Sequence, residues 1–194
     1  MPLLHVWPVP QDTAIAILMA DPRAVEPSGL CPWTNAKGKE WIYLVSDNGR
    51  IRRIPVKDTS NDWQEYTYGS GGAFDFEAIT NPGNGALLVG VEGGDKHGEV
   101  DYAQVRQFDP SNNQTSNIGT FTDQTWLLDH YKPTPGDGME AFTFVPEYAC
   151  APDWGRPTGA FHGLFLAAYQ VRLGEADVYD LPPNKGGTLP ARYI

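Results

Sequence analysis

The sequence predicts an all-β fold of four-stranded antiparallel units, arranged as β-propeller blades, and three observations predict it. A strand-turn-strand pattern recurs three times, at 41–56, 86–110 and 163–182. A short phrase precedes the second and third copies: Phe76-Glu77-Ala78-Ile79-Thr80 and Met139-Glu140-Ala141-Phe142-Thr143. Finally, 21 glycines and 17 prolines punctuate the chain, and no window sustains helical periodicity. Self-similarity at roughly forty-odd residues with strand signals inside each unit is the mark of a repeat architecture.

Each unit divides into four strands. In the first, an inner strand covers 28–33 and a polar turn 34–40. A second strand at 41–47 leads into Asn48-Gly49, a strong hairpin signal. Strands at 50–56 and 63–68 complete the unit. The second unit opens at 75–80, turns at 81–85, continues through 86–92 and 103–109, and ends near 118–121. Residues 122–137 read as a loop insertion carrying Trp126, His130 and Tyr131. The third unit opens at 138–144, with a second insertion at 147–161 rich in Pro, Gly and aromatics. Strands at 163–169 and 176–181 follow, and 189–194 reads as its outer strand. Residues 14–19 read as a strand, because Pro22 and Pro27 follow closely, and 1–24 as the end of a preceding blade or a closing strand.

Residues 1–194 thus read as one propeller domain or a propeller fragment. Closed propellers have about four to eight blades. Three blades leave open flanks, which more sequence, a second copy in a homo-oligomer, or a cramped fourth blade from 1–24 would cover. The fragment reading stands first and the dimer second.

A net charge of −10 argues against a nucleic-acid groove, which needs clustered Lys and Arg. The one basic cluster, Arg50, Arg52 and Arg53, reads as a solvated strand face, with Arg50 and Arg52 on the same side. Cys31 and Cys150 either pair or stand as two thiols, and the lack of a spacing motif favours thiols. The four histidines, His5, His97, His130 and His162, form no zinc pattern. No signal peptide or membrane-spanning stretch is evident, so a cytoplasmic protein is expected if Met1 is the native start. Asn113-Gln114-Thr115 matches a glycosylation acceptor. No Gly-x-Ser-x-Gly elbow, phosphate loop or Cys-His pairing is present, which argues against a common serine hydrolase.

The phrases at 26–31, 87–92 and 138–143 resemble the blade motifs of β-propeller phytases and of the esterase-like-phytase and SdiA-regulated families. The resemblance covers about 26–182. It implies that Glu77 and Glu140 correspond to inner-strand glutamates that approach the channel and hold Ca²⁺. It implies that Glu92 matches the second acidic residue of a Gly-Glu-Glu phrase, with Val91 replacing the first. Ser28 replaces the inner-strand glutamate of the first unit, so this chain has fewer carboxylates at that place.

Calcium takes several hard oxygen ligands and can bridge to a phosphate. The first expectation is therefore a phytase-like, Ca²⁺-dependent phosphoric-ester hydrolase with Glu77, Glu92 and Glu140 as metal ligands and a small-molecule or phosphorylated ligand. The alternative is a non-catalytic propeller that binds a ligand or partner at its channel mouth. A gluconolactonase-like lactone hydrolase is a distant third. His130, between Asp129 and Tyr131, is the one candidate base or catalytic group, and its ordinary alternative is an exposed loop histidine. Asp47 reads as a turn residue, and His162 and Tyr169-Gln170 as residues that either flank a strand or line a pocket.

Overall fold

The computed structural model describes residues 27–56, 64–68, 74–93, 102–112, 118–133, 138–159, 161–170, 172 and 175–194. The readings made for 1–24 and for Asn113-Gln114-Thr115 lie outside them. The described residues form three sheets, each opening as an antiparallel meander. Sheet one contains β1 (Pro27–Thr34), β2 (Glu40–Ser46), β3 (Arg50–Pro55) and β4 (Gln64–Thr67), in that order. Sheet two contains β5 (Phe76–Thr80), β6 (Leu87–Val91), β7 (Gln104–Asp109) and β8 (Thr120–Leu127). Sheet three begins with β9 (Met139–Pro146), β10 (Gly163–Tyr169) and β11 (Asp177–Asp180). The all-β expectation holds, and the described sheets do not close into a barrel or ring. No helix among the described residues is long and apolar enough to cross a membrane.

Local sequence explains most strands. In β2, Trp41, Tyr43 and Val45 are buried and alternate with less buried neighbours, the period of a half-covered strand. The hairpin after it forms at the expected place, but Ser46 pairs with Arg50, so the loop holds three residues. Gly49 takes the left-handed conformation at φ +69° and Asn48 does not. That is a type I turn closed by a left-handed glycine, not the two-residue turn that Asn-Gly suggests. Arg50 and Arg52 do share a face, and both meet Glu65 on β4, at 3.5 and 2.7 Å.

Sheet two lies between the other two. All five residues of β6 are buried. Leu87, Val89 and Val91 join the core shared with sheet one, around Tyr43, Phe76 and Phe108. Leu88 joins the core shared with sheet three, around Trp126, Phe142 and Phe165. A strand covered on both faces explains its unbroken apolar run. Small residues let strands of neighbouring sheets approach closely. A Cβ on Gly29 of β1 would stand 2.8 Å from the Ile79 nitrogen of β5, and one on Gly90 2.6 Å from Met139 Cε of β9.

Two sequence expectations are corrected. The stretch 122–137 does not begin as a loop: β8 continues through it to Leu127, with Gln124, Thr125 and Trp126 buried. The polar run Thr122-Asp123-Gln124-Thr125 disguises the strand: Asp123 is exposed, while buried Gln124 finds partners inside. Gln124 Oε1 accepts hydrogen bonds from the Lys185 and Gly186 amides, each at 3.1 Å. The C-terminal stretch is not one outer strand. It splits into β12 (Thr188–Pro190), parallel to β8 in sheet two, and β13 (Arg192–Tyr193), antiparallel to β11 in sheet three. Buried Ala191 sits between them, so the chain end joins two sheets.

Candidate metal centre

The first strands of all three sheets share one irregularity. Pro27 pairs with Ser46 and Gly29 with Val45, so the register shifts at Ser28. Phe76 pairs with Val91 and Ala78 with Gly90, leaving Glu77 unpaired. Met139 pairs with Tyr169 and Ala141 with Ala168, leaving Glu140 unpaired. A bulge gives one strand an extra residue and re-aims its side chain. Ser28, Glu77 and Glu140 are therefore equivalent by backbone register. The same register makes Glu92, Asp47 and Gln170 equivalent, each one step past the paired end of its sheet's second strand. The Glu92 amide donates to the Asp75 carbonyl at 2.9 Å, and the Gln170 amide donates to Gly138 in the same way at 3.1 Å.

Around the second and third bulges the carboxylates gather. Asp75, Glu77 and Glu92 each offer an oxygen, and these atoms lie within 4.8 Å of one another. All three are half-buried. Phe76 places them: its ring is fully buried in the core, so its neighbours on either side, Asp75 and Glu77, turn to the opposite face. Glu92 enters from β6 and accepts a hydrogen bond from the Gly138 amide at 3.2 Å. A Cβ at Gly138 would lie 1.8 Å from Glu92 Cγ, so glycine is required there for the glutamate to cross between sheets. Glu140 is exposed and feels the charges of Glu77 and Glu92.

Crowding of like charges sets the electrostatics. Burial pushes the Glu77 carboxyl up to about 8, assisted by the charge and hydrogen bond of Asp75 and by the charges of Glu140 and Glu92. Glu140 is also raised, by partial desolvation and by Glu92. Carboxylates this close relieve their repulsion by holding a proton or by binding a cation. The donor set is oxygen alone, without His or Cys, which fits a hard divalent ion such as Ca²⁺ or Mg²⁺ and not zinc. Three carboxylates fall short of the six to eight oxygens Ca²⁺ takes, so water, backbone carbonyls or Glu140 would complete a shell.

The expected ligands Glu77 and Glu92 thus meet directly, with Glu140 beside them. Asp75 was not anticipated. The alternation Asp75-Phe76-Glu77 around one apolar residue was its available signal. Asp47 occupies in sheet one the register position of Glu92, beyond its role in the turn.

His130 lies elsewhere. Its Nδ1 is 3.2 Å from Oδ2 of buried Asp177, and its ring stacks on Tyr193 at 3.4 Å. Arg172 also holds Asp177, at 2.7 Å. Tyr169 is buried with its hydroxyl against that of Tyr179, and His162 borders an open cleft. Cys31 and Cys150 are free thiols, and burial pushes the Cys31 thiol up to about 12. No protein-family model matches the chain, and no curated protein matches it.

Proposed function

We propose that this chain binds a divalent cation, Ca²⁺ first, through Asp75, Glu77 and Glu92, and uses it to act on a phosphoric ester as a phytase-like propeller. The observation that carries the reading is the convergence of those three carboxylates within 4.8 Å beside Glu140. The matching bulges at Ser28, Glu77 and Glu140 support a blade-like repeat. A bound Ca²⁺ would offset the negative charge of an acidic protein, polarise the phosphoryl group and acidify a bound water. The chain's own groups do the rest. Glu77 would give up its proton on holding the cation. Gly138 leaves room for Glu92 and fixes it through the backbone amide. Glu140, which is exposed, accepts a proton from the attacking water as the new P–O bond forms and the bond to the leaving oxygen breaks, and the departing alkoxide takes a proton from solvent.

The test is turnover of a chromogenic phosphomonoester by protein stripped with chelator and then reloaded. Activity should appear with Ca²⁺, vanish with chelator and fall about 100-fold or more in Glu140→Gln, a typical loss for a proton-transfer group. Ca²⁺ binding with no turnover of any phosphoric ester would overturn the enzymatic reading. It would leave the second one, a non-catalytic cation-dependent binder, which the Ser28 and Val91 positions favour because neither supplies a carboxylate.

A further inference from the structure

A second feature lies at the other end of the same strands. The carboxylates gather where β5 and β9 begin and β6 ends. Where β5 and β9 end, an open cleft of about 710 Å³ runs between the β5–β6 turn and the insertion after β9. That volume falls within the roughly 300–1,000 Å³ of ligand pockets. Its aromatic lining is Phe144, Tyr148 and Phe161, and its hydrogen-bonding side chains are Asn84, Glu147 and His162.

Both walls are built firmly. The Phe144 amide donates to Thr80 Oγ1 at 3.2 Å, tying β9 to β5. Phe161 is buried edge-on against Trp126 and Phe165, with ring centres 5.6 and 5.5 Å away. Buried Asp180 grips the insertion, accepting from the Thr158 amide at 2.8 Å, its hydroxyl at 2.9 Å and the Gly159 amide at 2.9 Å. On the facing wall, Asn81 Nδ2 donates to the Pro32 carbonyl at 3.2 Å. Between these anchors His162 stands at φ +50°, the one non-glycine with positive φ among the described residues. Its carbonyl accepts from the Glu147 amide at 3.0 Å. Non-glycine residues held in this region cost free energy and cluster at binding sites. At the rim Tyr148 is 92 % exposed, the most exposed large apolar side chain described.

We infer that this cleft binds a neutral carbohydrate chain, independently of the cation site. The ring of Tyr148 offers a flat apolar platform to the C–H face of a sugar. Asn84, Glu147 and His162 together donate and accept, as hydroxyl groups require. Among the described residues no Lys or Arg lines the cleft, and Glu147 brings negative charge, which disfavours a phosphorylated or other anionic ligand. The open shape lets a chain lie across the site, and the anchored walls keep the ordering cost of binding small.

The test is NMR titration of isotope-labelled protein in chelator with maltohexaose, cellohexaose and a proline-rich decapeptide. Shifts at Asn84, Tyr148 and His162 with a hexaose, weakened about tenfold in Tyr148→Ala, are expected. Glu147→Gln should weaken binding as well. Tyr148 is so exposed that its removal leaves the fold intact. No shift with either hexaose, shifts indifferent to Tyr148→Ala, or saturation of the cleft by the peptide alone would overturn the inference. Chelator keeps the outcome separate from that of the cation site.

Discussion

Glu77 carries the tension of the carboxylate cluster. A solvated glutamate titrates near 4.5, and Glu77 is pushed up to about 8. The cation-free native protein therefore holds a proton that the unfolded chain releases, so its stability falls as pH rises between those values. Melting in chelator should show a lower Tm at about pH 8.5 than at about pH 5, and Glu77→Gln should flatten that fall. An unchanged slope in the variant would contradict the assignment. Gly138 offers a second test. Gly138→Ala places a methyl group against Glu92 Cγ and should cost about 1–3 kcal/mol, read from denaturant unfolding. A neutral effect would mean that Glu92 does not cross there. At this scale the sequence was informative where a phrase repeats: Glu77 and Glu140 precede alanine in both copies, and the bulges confirm their equivalence. Asp75 has no counterpart in the third unit, where Gly138 stands, so the repeat hides it.

The C-terminal strands act as a clasp. The Thr125 amide donates to the Gly187 carbonyl at 2.9 Å and the Ala191 amide to Leu127 at 2.7 Å, while the Ile194 amide reaches Val178 in sheet three at 3.0 Å. Truncation after Lys185 should strip exchange protection from the Thr125 amide and lower Tm, with β2 and β3 of sheet one keeping their protection. Equal loss everywhere would show that the clasp holds the whole fold rather than the seam between two sheets. Alternation in β2 and the apolar run of β6 make those strands plain in sequence. The polar stretch 122–125 conceals β8, and the division of 188–193 depends on non-local pairing that strands of three and two residues do not encode.

For the whole molecule, three meanders and their order are legible from the spacing of strands and turns. Closure is not, because a repeat fixes each unit and its neighbour contact but not how many units meet. Sheet two is covered on both faces, and its first strand lies between those of its neighbours. This places Glu92 of one sheet against Gly138 of the next, so the carboxylate cluster belongs to the seam between sheets and not to one strand. The direct test is calorimetric titration of Ca²⁺ into chelator-stripped protein, with Glu77→Gln and Glu92→Gln alongside. Saturable binding by the natural chain, weakened about tenfold or more in each variant, is the predicted result. The absence of binding, or binding that both variants retain unchanged, would contradict the assignment of Asp75, Glu77 and Glu92 as a cation site.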